Sequence, residues 1–344
     1  MRLLILGGTV FLGRAITDAA LARGHSVTHV HRGRSAGRDP RVETLTCDRE
    51  ATPFLPGIES KGTWDAVVDT SGYLPQVVSA SCAALRERTG TYAFVSSISA
   101  YASFDAEAFN EDAATQPDPD PLPGERSPAL YGALKAACER VVSRAFGERA
   151  LVARPGLLVG PHDPTDRFTW WPSRAARRGR FLAPGDPGRK VQFIDVRDVA
   201  EWMIAMLERS NAGTFHVTGP KEPLTMGELI ASCRARQDAS AVPEWVPDEF
   251  LVRHEVKPWV EMPLWIPASL AGYRGFMAAS IGRALDRGLA FRPLARTLSD
   301  TLDWARTRPP DYEWQAGLRE DREAALLDAW DDRAGHRLRG AAKA

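Results

Sequence analysis

Short apolar runs alternate with longer amphipathic stretches over the first two thirds of the chain. Arg2–Leu6 (RLLIL), Ser26–His31, Val42–Thr46, Trp64–Asp69 (WDAVVD), Thr91–Val95 and Arg149–Arg154 are runs of strand length, rich in β-branched and aromatic residues. Between them Arg14–Ala22, Leu74–Arg88 and Tyr131–Phe146 read as helices, and Gly24 stands just past the first, where a helix C-terminus favours glycine. Val191–Ala200 passes from strand into a helix running to Glu208, and Thr214–Thr218 predicts a further strand. Thr225, with Glu228 three residues on, forms a capping box for a helix from Met226 to Arg236. Gln116–Pro128 holds Pro117, Pro119, Pro121, Pro123 and Pro128 and cannot be helical. It is either a loop over a site mouth or a rigid surface connection. Beyond Asp238 the sheet rhythm stops, and tryptophans and prolines separate short helices, of which Pro293–Arg306 and Arg319–Trp330 are the clearest.

Strands alternating with helices imply right-handed crossovers and a parallel sheet. The expected fold is therefore α/β, a doubly wound sheet over 1–160 with 189–219 adding a strand and helix. Residues 161–188 and 220–344 are expected to form a smaller substrate lobe. In such a sheet the ligand crevice lies at the carboxyl ends of the strands. Gly7, Thr70 and Ser97 stand at such ends.

The first of these ends carries the clearest chemistry. Gly7-Gly8-Thr9-Val10-Phe11-Leu12-Gly13 joins the first strand to the first helix. A strand, a glycine-rich turn and a helix open a dinucleotide-binding unit. Gly7 permits a sharp turn and close backbone approach to a pyrophosphate, and Gly13 lets the helix lie close to the strand. The helix N-terminus offers orphan N–H groups and partial positive charge to the anion. Val10 occupies the usual middle-glycine position. The second strand ends in His31-Arg32-Gly33-Arg34, where an acidic residue would bind a ribose 2′-hydroxyl. Arg32 or Arg34 can instead pair with a 2′-phosphate, which favours NADP(H) over NAD(H). Asp48, after the third strand, is placed to accept from the adenine amino group. Thr70-Ser71-Gly72 follows the fourth strand. Pro155-Gly156-Leu157-Leu158 after the sixth is suited to wall the nicotinamide face. His162-Asp163-Pro164-Thr165-Asp166-Arg167 has too few ligands at credible spacing for a metal. Phe168, Trp170 and Trp171 read as core rather than as a stacking surface.

Tyr131-Gly132-Ala133-Leu134-Lys135 places a phenol and an ammonium on one helix face, one turn apart. A free phenol, with a pKa of roughly 10, is a poor acid–base catalyst near neutrality. A neighbouring ammonium favours the phenolate.

Bulk properties narrow the classes. The 344 residues carry 44 basic and 44 acidic side chains, so no global field favours nucleic acid or an anionic membrane. No apolar run approaches the roughly 18 residues that span a bilayer. The four cysteines have neither metal-like nor redox-like spacing and read as reduced, mostly buried thiols of a cytoplasmic protein.

Five motifs fall in one order: Gly7-Gly8-Thr9-x-Phe11-Leu12-Gly13, Val95-Ser96-Ser97 with Tyr101, Tyr131-x-x-x-Lys135, Arg154-Pro155-Gly156 with Gly160-Pro161, and Phe193-Ile194-Asp195-Val196-Arg197-Asp198-Val199-Ala200. Over about residues 1–235 the chain resembles the extended short-chain dehydrogenase/reductases, the NAD-dependent epimerase/dehydratase family. The resemblance implies a seven-stranded Rossmann sheet with a C-terminal substrate lobe, and cofactor contacts from Gly7, Thr9, Phe11, Leu12 and Gly13. It implies Tyr131 as proton donor or acceptor, Lys135 on the nicotinamide ribose, and Ser97 on the substrate oxygen. A homodimer through the Leu74–Arg88 and Tyr131–Phe146 helices is a further implication. Val10, His31-Arg32 and Asp69-Thr70-Ser71-Gly72 depart from the family pattern and look like an atypical subgroup that also resembles the chloroplast stem-loop-binding proteins.

The expected function is hydride transfer between a nicotinamide cofactor and a secondary alcohol or ketone of a polar small molecule, a sugar nucleotide or natural-product intermediate. An NAD-retaining sugar-nucleotide epimerase is the alternative. Dehydration is disfavoured because Ile98 and Ser99, not carboxylates, follow Ser97. An RNA-binding Rossmann protein without turnover is a third reading, and the absence of a basic footprint in the composition argues against it.

Overall fold

The computed structural model describes residues 1–33, 39–50, 57–235 and 240–341. The chain divides into two compact units, one of Met1–Leu158, Gln192–Lys221 and Ala278–Arg292, the other of Val159–Val191, Glu222–Met277 and Pro293–Ala344.

The first unit holds the sheet. Its strands are β1 (Arg2–Leu6), β2 (Ser26–His31), β3 (Glu43–Thr46), β4 (Trp64–Asp69), β5 (Thr89–Val95), β6 (Ala150–Pro155) and β7 (Gly213–Val217). They lie in the order β7-β6-β5-β4-β1-β2-β3. Every pairing is parallel. The order reverses beside β1, so the ends of β1 and β4 flank the switch point, where ligands bind in doubly wound folds.

Both faces of this sheet are covered, which explains its near-continuous apolar strands. Leu3 and Ile5 of β1 point to one side, into a core with Ile16 of α1 (Phe11–Ala22) and Val199 and Met203 of Val196–Glu208. Leu4 and Leu6 point to the other, with Val78 of α2 (Pro75–Leu85) and Cys138 and Val142 of α3 (Tyr131–Phe146). The period of two thus splits one strand between two cores.

Two expectations about the C-terminal part are corrected. Ala278–Arg292 belongs with the sheet unit rather than with the lobe. Arg292 Nε donates to Asp198 Oδ1 at 2.7 Å, and Ser280 O accepts from His216 Nδ1 at 2.7 Å, which ties this segment to the sheet. The sheet rhythm also does not stop at Asp238, a residue outside those described. In the second unit Ala241–Val246 pairs in parallel with Gly179–Pro184. Pro243 interrupts the first run, and neither run alternates clearly, so the pattern hides both strands. Phe168, Trp170 and Trp171 are buried core, and the Thr225–Glu228 capping box forms, with Glu228 N donating to Thr225 Oγ1 at 3.2 Å.

Candidate active site

The glycine turn has the backbone that only glycine adopts readily. Gly7 and Gly8 have φ of +114° and +89°. A Cβ on Gly13 would lie 2.6 Å from the backbone of Gly8, and one on Gly7 would strike Thr70 Oγ1. These clashes define a cradle between the ends of β1 and β4 that side chains would fill. Val10 is 58% exposed and is the N-cap of α1, which has no side-chain cap and no acidic residue in its first turn. As the N-cap it offers no side-chain acceptor to the first N–H groups of α1. Glycine freedom, close packing and a helix start with no cap from the Val10 side chain fit a dinucleotide pyrophosphate.

Thr70 and Ser71 both donate their hydroxyls to Leu6 O, at 3.1 and 3.0 Å. They thus fasten the end of β4 to the glycine turn. Ser71 Oγ also accepts from Arg49 Nη2 at 2.8 Å. Arg49 was not singled out in the sequence, yet it is buried and grips Asp69 with both terminal nitrogens, at 2.9 and 2.8 Å. Tyr92 donates to Asp69 Oδ2 at 3.0 Å and Ser71 N to Oδ1 at 3.0 Å. Burial works against the Asp69 carboxylate, but the Arg49 charge and these hydrogen bonds outweigh it and hold the carboxyl below its ordinary range. Asp48, next to Arg49, is half-buried and accepts from Glu50 N at 3.1 Å. Arg32 is exposed beyond the end of β2. Arg34 lies outside the described residues.

Tyr131 opens α3 and is 37% exposed, whereas Lys135, one turn on, is 2% exposed. Lys135 Nζ donates to Gly72 O and to Val95 O, both at 2.8 Å. The ammonium is thereby set at the carboxyl ends of β4 and β5. Burial pushes Lys135 down to about 8, with Cys138, Asp69 and Glu139 opposing and Arg126 adding to the fall. Ser97 is buried and its Oγ accepts from Ser99 N at 3.1 Å, capping a short turn over Ile98–Ala100. Gly132 permits the start of α3 to close on that turn, because a Cβ there would strike Ser99 O. The Ser97 turn and the Tyr131–Lys135 turn are therefore packed together. Pro155 is the last residue of β6, and Gly156, which lies against Thr218, and Leu158 follow it.

A second buried network escaped the sequence reading. Ser96 donates to Glu139, which pairs with Arg154 at 2.9 and 2.6 Å. Arg154 also donates to the Tyr101 hydroxyl, and that hydroxyl meets His216 Nε2. Burial, opposed by Arg154, pushes Tyr101 up to about 12. The only available signal was the i, i+4 spacing of Lys135 and Glu139. Ser96 and Tyr101 flank the Ser97 turn, and Arg154 and His216 come from β6 and β7.

Residues 76–218 match the NAD dependent epimerase/dehydratase family. The chain is similar to a 2-alkyl-3-oxoalkanoate reductase of Stenotrophomonas maltophilia (strain K279a), 27% identical over 264 residues that cover 70% of this chain and 77% of the reductase. Among solved structures it is similar to UDP-glucuronic acid 4-epimerase from Bacillus cereus in complex with NAD, at 15% identity and a TM-score of 0.63, over 89% of this chain and 99% of that one. It is also similar to UDP-glucose 4-epimerase from Thermotoga maritima with UDP-glucose, at 16% identity and a TM-score of 0.63, over 89% and 99% of the two chains. At these identities the shared property is the fold.

Proposed function

We propose that this chain, whose residues 76–218 match the NAD dependent epimerase/dehydratase family, is an oxidoreductase acting on a secondary alcohol or ketone with Ser97, Tyr131 and Lys135 as its acid–base set. The family is one of nicotinamide-dependent enzymes. When bound, the nicotinamide supplies the hydride acceptor or donor. The protein's own residues handle the proton. Tyr131 gives a proton to the forming alkoxide in reduction, or takes it from the alcohol in oxidation. The Lys135 ammonium stabilises the phenolate side of that exchange, and Ser97 Oγ orients the substrate oxygen. Gly7, Thr9, Phe11, Leu12 and Gly13 would hold the pyrophosphate, Asp48 the adenine, and Thr70, Ser71, Gly72, Pro155, Gly156 and Leu158 the nicotinamide end.

The observation that carries this reading is the Lys135 ammonium. It is buried, held by two strand-end carbonyls, and one helical turn from a partly exposed phenol. A lysine kept only for solubility would not be drawn beneath the surface, since burial of a charge is costly. Reduction of a ketone is placed first because the curated relative is named a reductase, and a polar ketone such as a 3-oxo acid is the substrate class it suggests. NAD-retaining epimerisation is the second reading, favoured by the structural similarity to the two 4-epimerases. NADP(H) is proposed over NAD(H) on the exposed Arg32, although the Bacillus cereus 4-epimerase is in complex with NAD. The four free thiols support a reducing, cytoplasmic setting.

The test is a fluorescence titration of nucleotide-stripped protein with NADPH and with NADH, followed by ketone reduction by wild type and Tyr131→Phe. The variant is expected to lose about 10²–10⁴-fold in kcat and to keep its dinucleotide Kd. Unchanged turnover in Tyr131→Phe refutes the assigned role.

A further inference from the structure

Lys135 has an arrangement that the proposed acid–base set leaves unexplained. Its two carbonyl partners carry no full charge. The two carboxylates that act on it, Asp69 and Glu139, are each taken by an arginine, Arg49 and Arg154. Among the described residues no carboxylate forms an ion pair with Lys135. What lies on the ammonium instead is aromatic. The Tyr73 ring centroid is 4.5 Å from Nζ and the Phe94 centroid 4.9 Å. The Tyr73 ring also carries a second cation, with Arg126 Cζ 4.2 Å from its centroid. Tyr73 and Tyr131 have ring centroids 6.5 Å apart.

Arg126 stands on the proline-rich segment, which the structure shows fastened along the sheet unit. Gln116 Nε2 donates to Ser99 O at 3.0 Å, Gln76 Nε2 to Pro123 O at 3.1 Å, and Arg126 Nε to Glu50 Oε1 at 2.9 Å. The segment thus runs from the Ser97 turn to the loop after β3 and delivers a guanidinium onto Tyr73.

We propose that Tyr73 and Arg126 are positioning residues for Lys135, the Tyr73 ring holding the ammonium while Arg126 draws on the same ring. The inference rests on the proposed role of Tyr131 and Lys135 and adds the device that sets the charge of Lys135. A ring quadrupole shared by two cations stabilises each less than it would stabilise one. Arg126 also repels Lys135 directly. The charged and titratable groups acting on Lys135 are Asp69 from β4, Cys138 and Glu139 from its own helix, and Arg126 from the proline-rich segment. Only Arg126 is bound to the Tyr73 ring as well. Loss of the ring therefore lowers the affinity of Lys135 for its proton, and loss of Arg126 raises it.

The chain has six lysines, so 13Cε-lysine NMR resolves Lys135 directly, assigned by its disappearance in Lys135→Met. Its titration midpoint is followed in wild type, Tyr73→Leu, Tyr73→Phe and Arg126→Gln, without substrate or dinucleotide. Tyr73→Leu is expected to move the midpoint down by about one pH unit, Arg126→Gln to move it up, and Tyr73→Phe, which keeps the ring, to restore the wild-type value. In turnover Tyr73→Leu is expected to lower kcat and shift the pH profile with little change in dinucleotide KM. A midpoint unmoved in both Tyr73→Leu and Arg126→Gln, or a downward shift in Arg126→Gln, overturns the proposal. If Tyr73→Leu does not fold, Arg126→Gln and Tyr73→Phe decide. Turnover by Tyr131→Phe would refute the catalytic reading, while the lysine midpoints still decide this one.

Discussion

Asp69→Asn removes one charge from the buried Arg49–Asp69 pair and changes almost nothing in volume. Asp69 is fully buried, with Arg49 on both oxygens, Tyr92 on one and Ser71 N on the other. After the substitution the Arg49 guanidinium stays in the interior facing an amide. Breaking a buried pair in this way costs about 3–5 kcal/mol, because a buried charge is left without its counter-ion. For the sheet unit, at about 2–4 °C per kcal/mol, the melting temperature should fall by about 6–20 °C. Circular dichroism on heating measures it. Replacing both partners, Arg49→Met with Asp69→Leu, should recover part of the loss, since no charge then remains to desolvate. The pH dependence has a defined sign. The folded Asp69 pKa is depressed, so its contribution is complete above the unfolded carboxylate pKa of about 3.9 and is lost as pH falls through the lower folded value. The gap between wild type and Asp69→Asn should narrow on that acid limb. Dinucleotide binding should weaken as well, because Arg49 holds Ser71 against the glycine turn and adjoins Asp48. A fall of less than 2 °C, or a double variant less stable than Asp69→Asn, would refute the reasoning.

The remaining expectations concern the glycine turn and its flank. Gly13→Ala puts a Cβ 2.6 Å from Gly8 backbone atoms; it should cost about 1–3 kcal/mol and abolish dinucleotide binding, both read by thermal shift with and without nucleotide. Arg32→Ala should weaken NADPH much more than NADH in the fluorescence titration, and equal losses remove the case for 2′-phosphate recognition. His29, buried with its Nε2 2.8 Å from Thr17 Oγ1, is pushed down to about 4, first by burial and then by His31. Between that value and the unfolded pKa of about 6.5 the unfolded chain binds more protons. Stability is therefore full above about 6.5 and falls by up to about 3 kcal/mol toward pH 4. His29→Gln should flatten that slope in urea titrations, and an unchanged slope would assign the acid limb to other groups.

The Tyr131–Lys135 turn was legible because both side chains belong to one helix, and a helix fixes i, i+4 neighbours without help from the rest of the chain. β1, β2 and β4 were legible for a similar reason, since their apolar runs are bounded by glycine and polar turns. Arg49 could not be found that way. It is one arginine among many, and its partners Asp69, Ser71 and Ser81 lie 20 or more residues away along the chain. The Ser96–Glu139–Arg154–Tyr101–His216 network is distributed in the same manner. The Ala241–Val246 strand was missed because Pro243 breaks its pattern and its pairing partner gave no signal of its own.

The order of elements in the sheet unit, the parallel sheet, the glycine turn and the spacing of the phenol and ammonium could be read from the chain alone. These follow from backbone periodicity and from the steric freedom of glycine, which act over a few residues. Which charges are buried, and what neutralises them, was settled by packing in three dimensions. It drew Lys135 beneath the strand ends and left it with carbonyls and the Tyr73 ring, while Asp69 and Glu139 went to arginines. Burial removes the water that would otherwise solvate each charge, so every buried charge must find its partner across the fold. That choice depends on packing between distant segments, not on the neighbours along the chain.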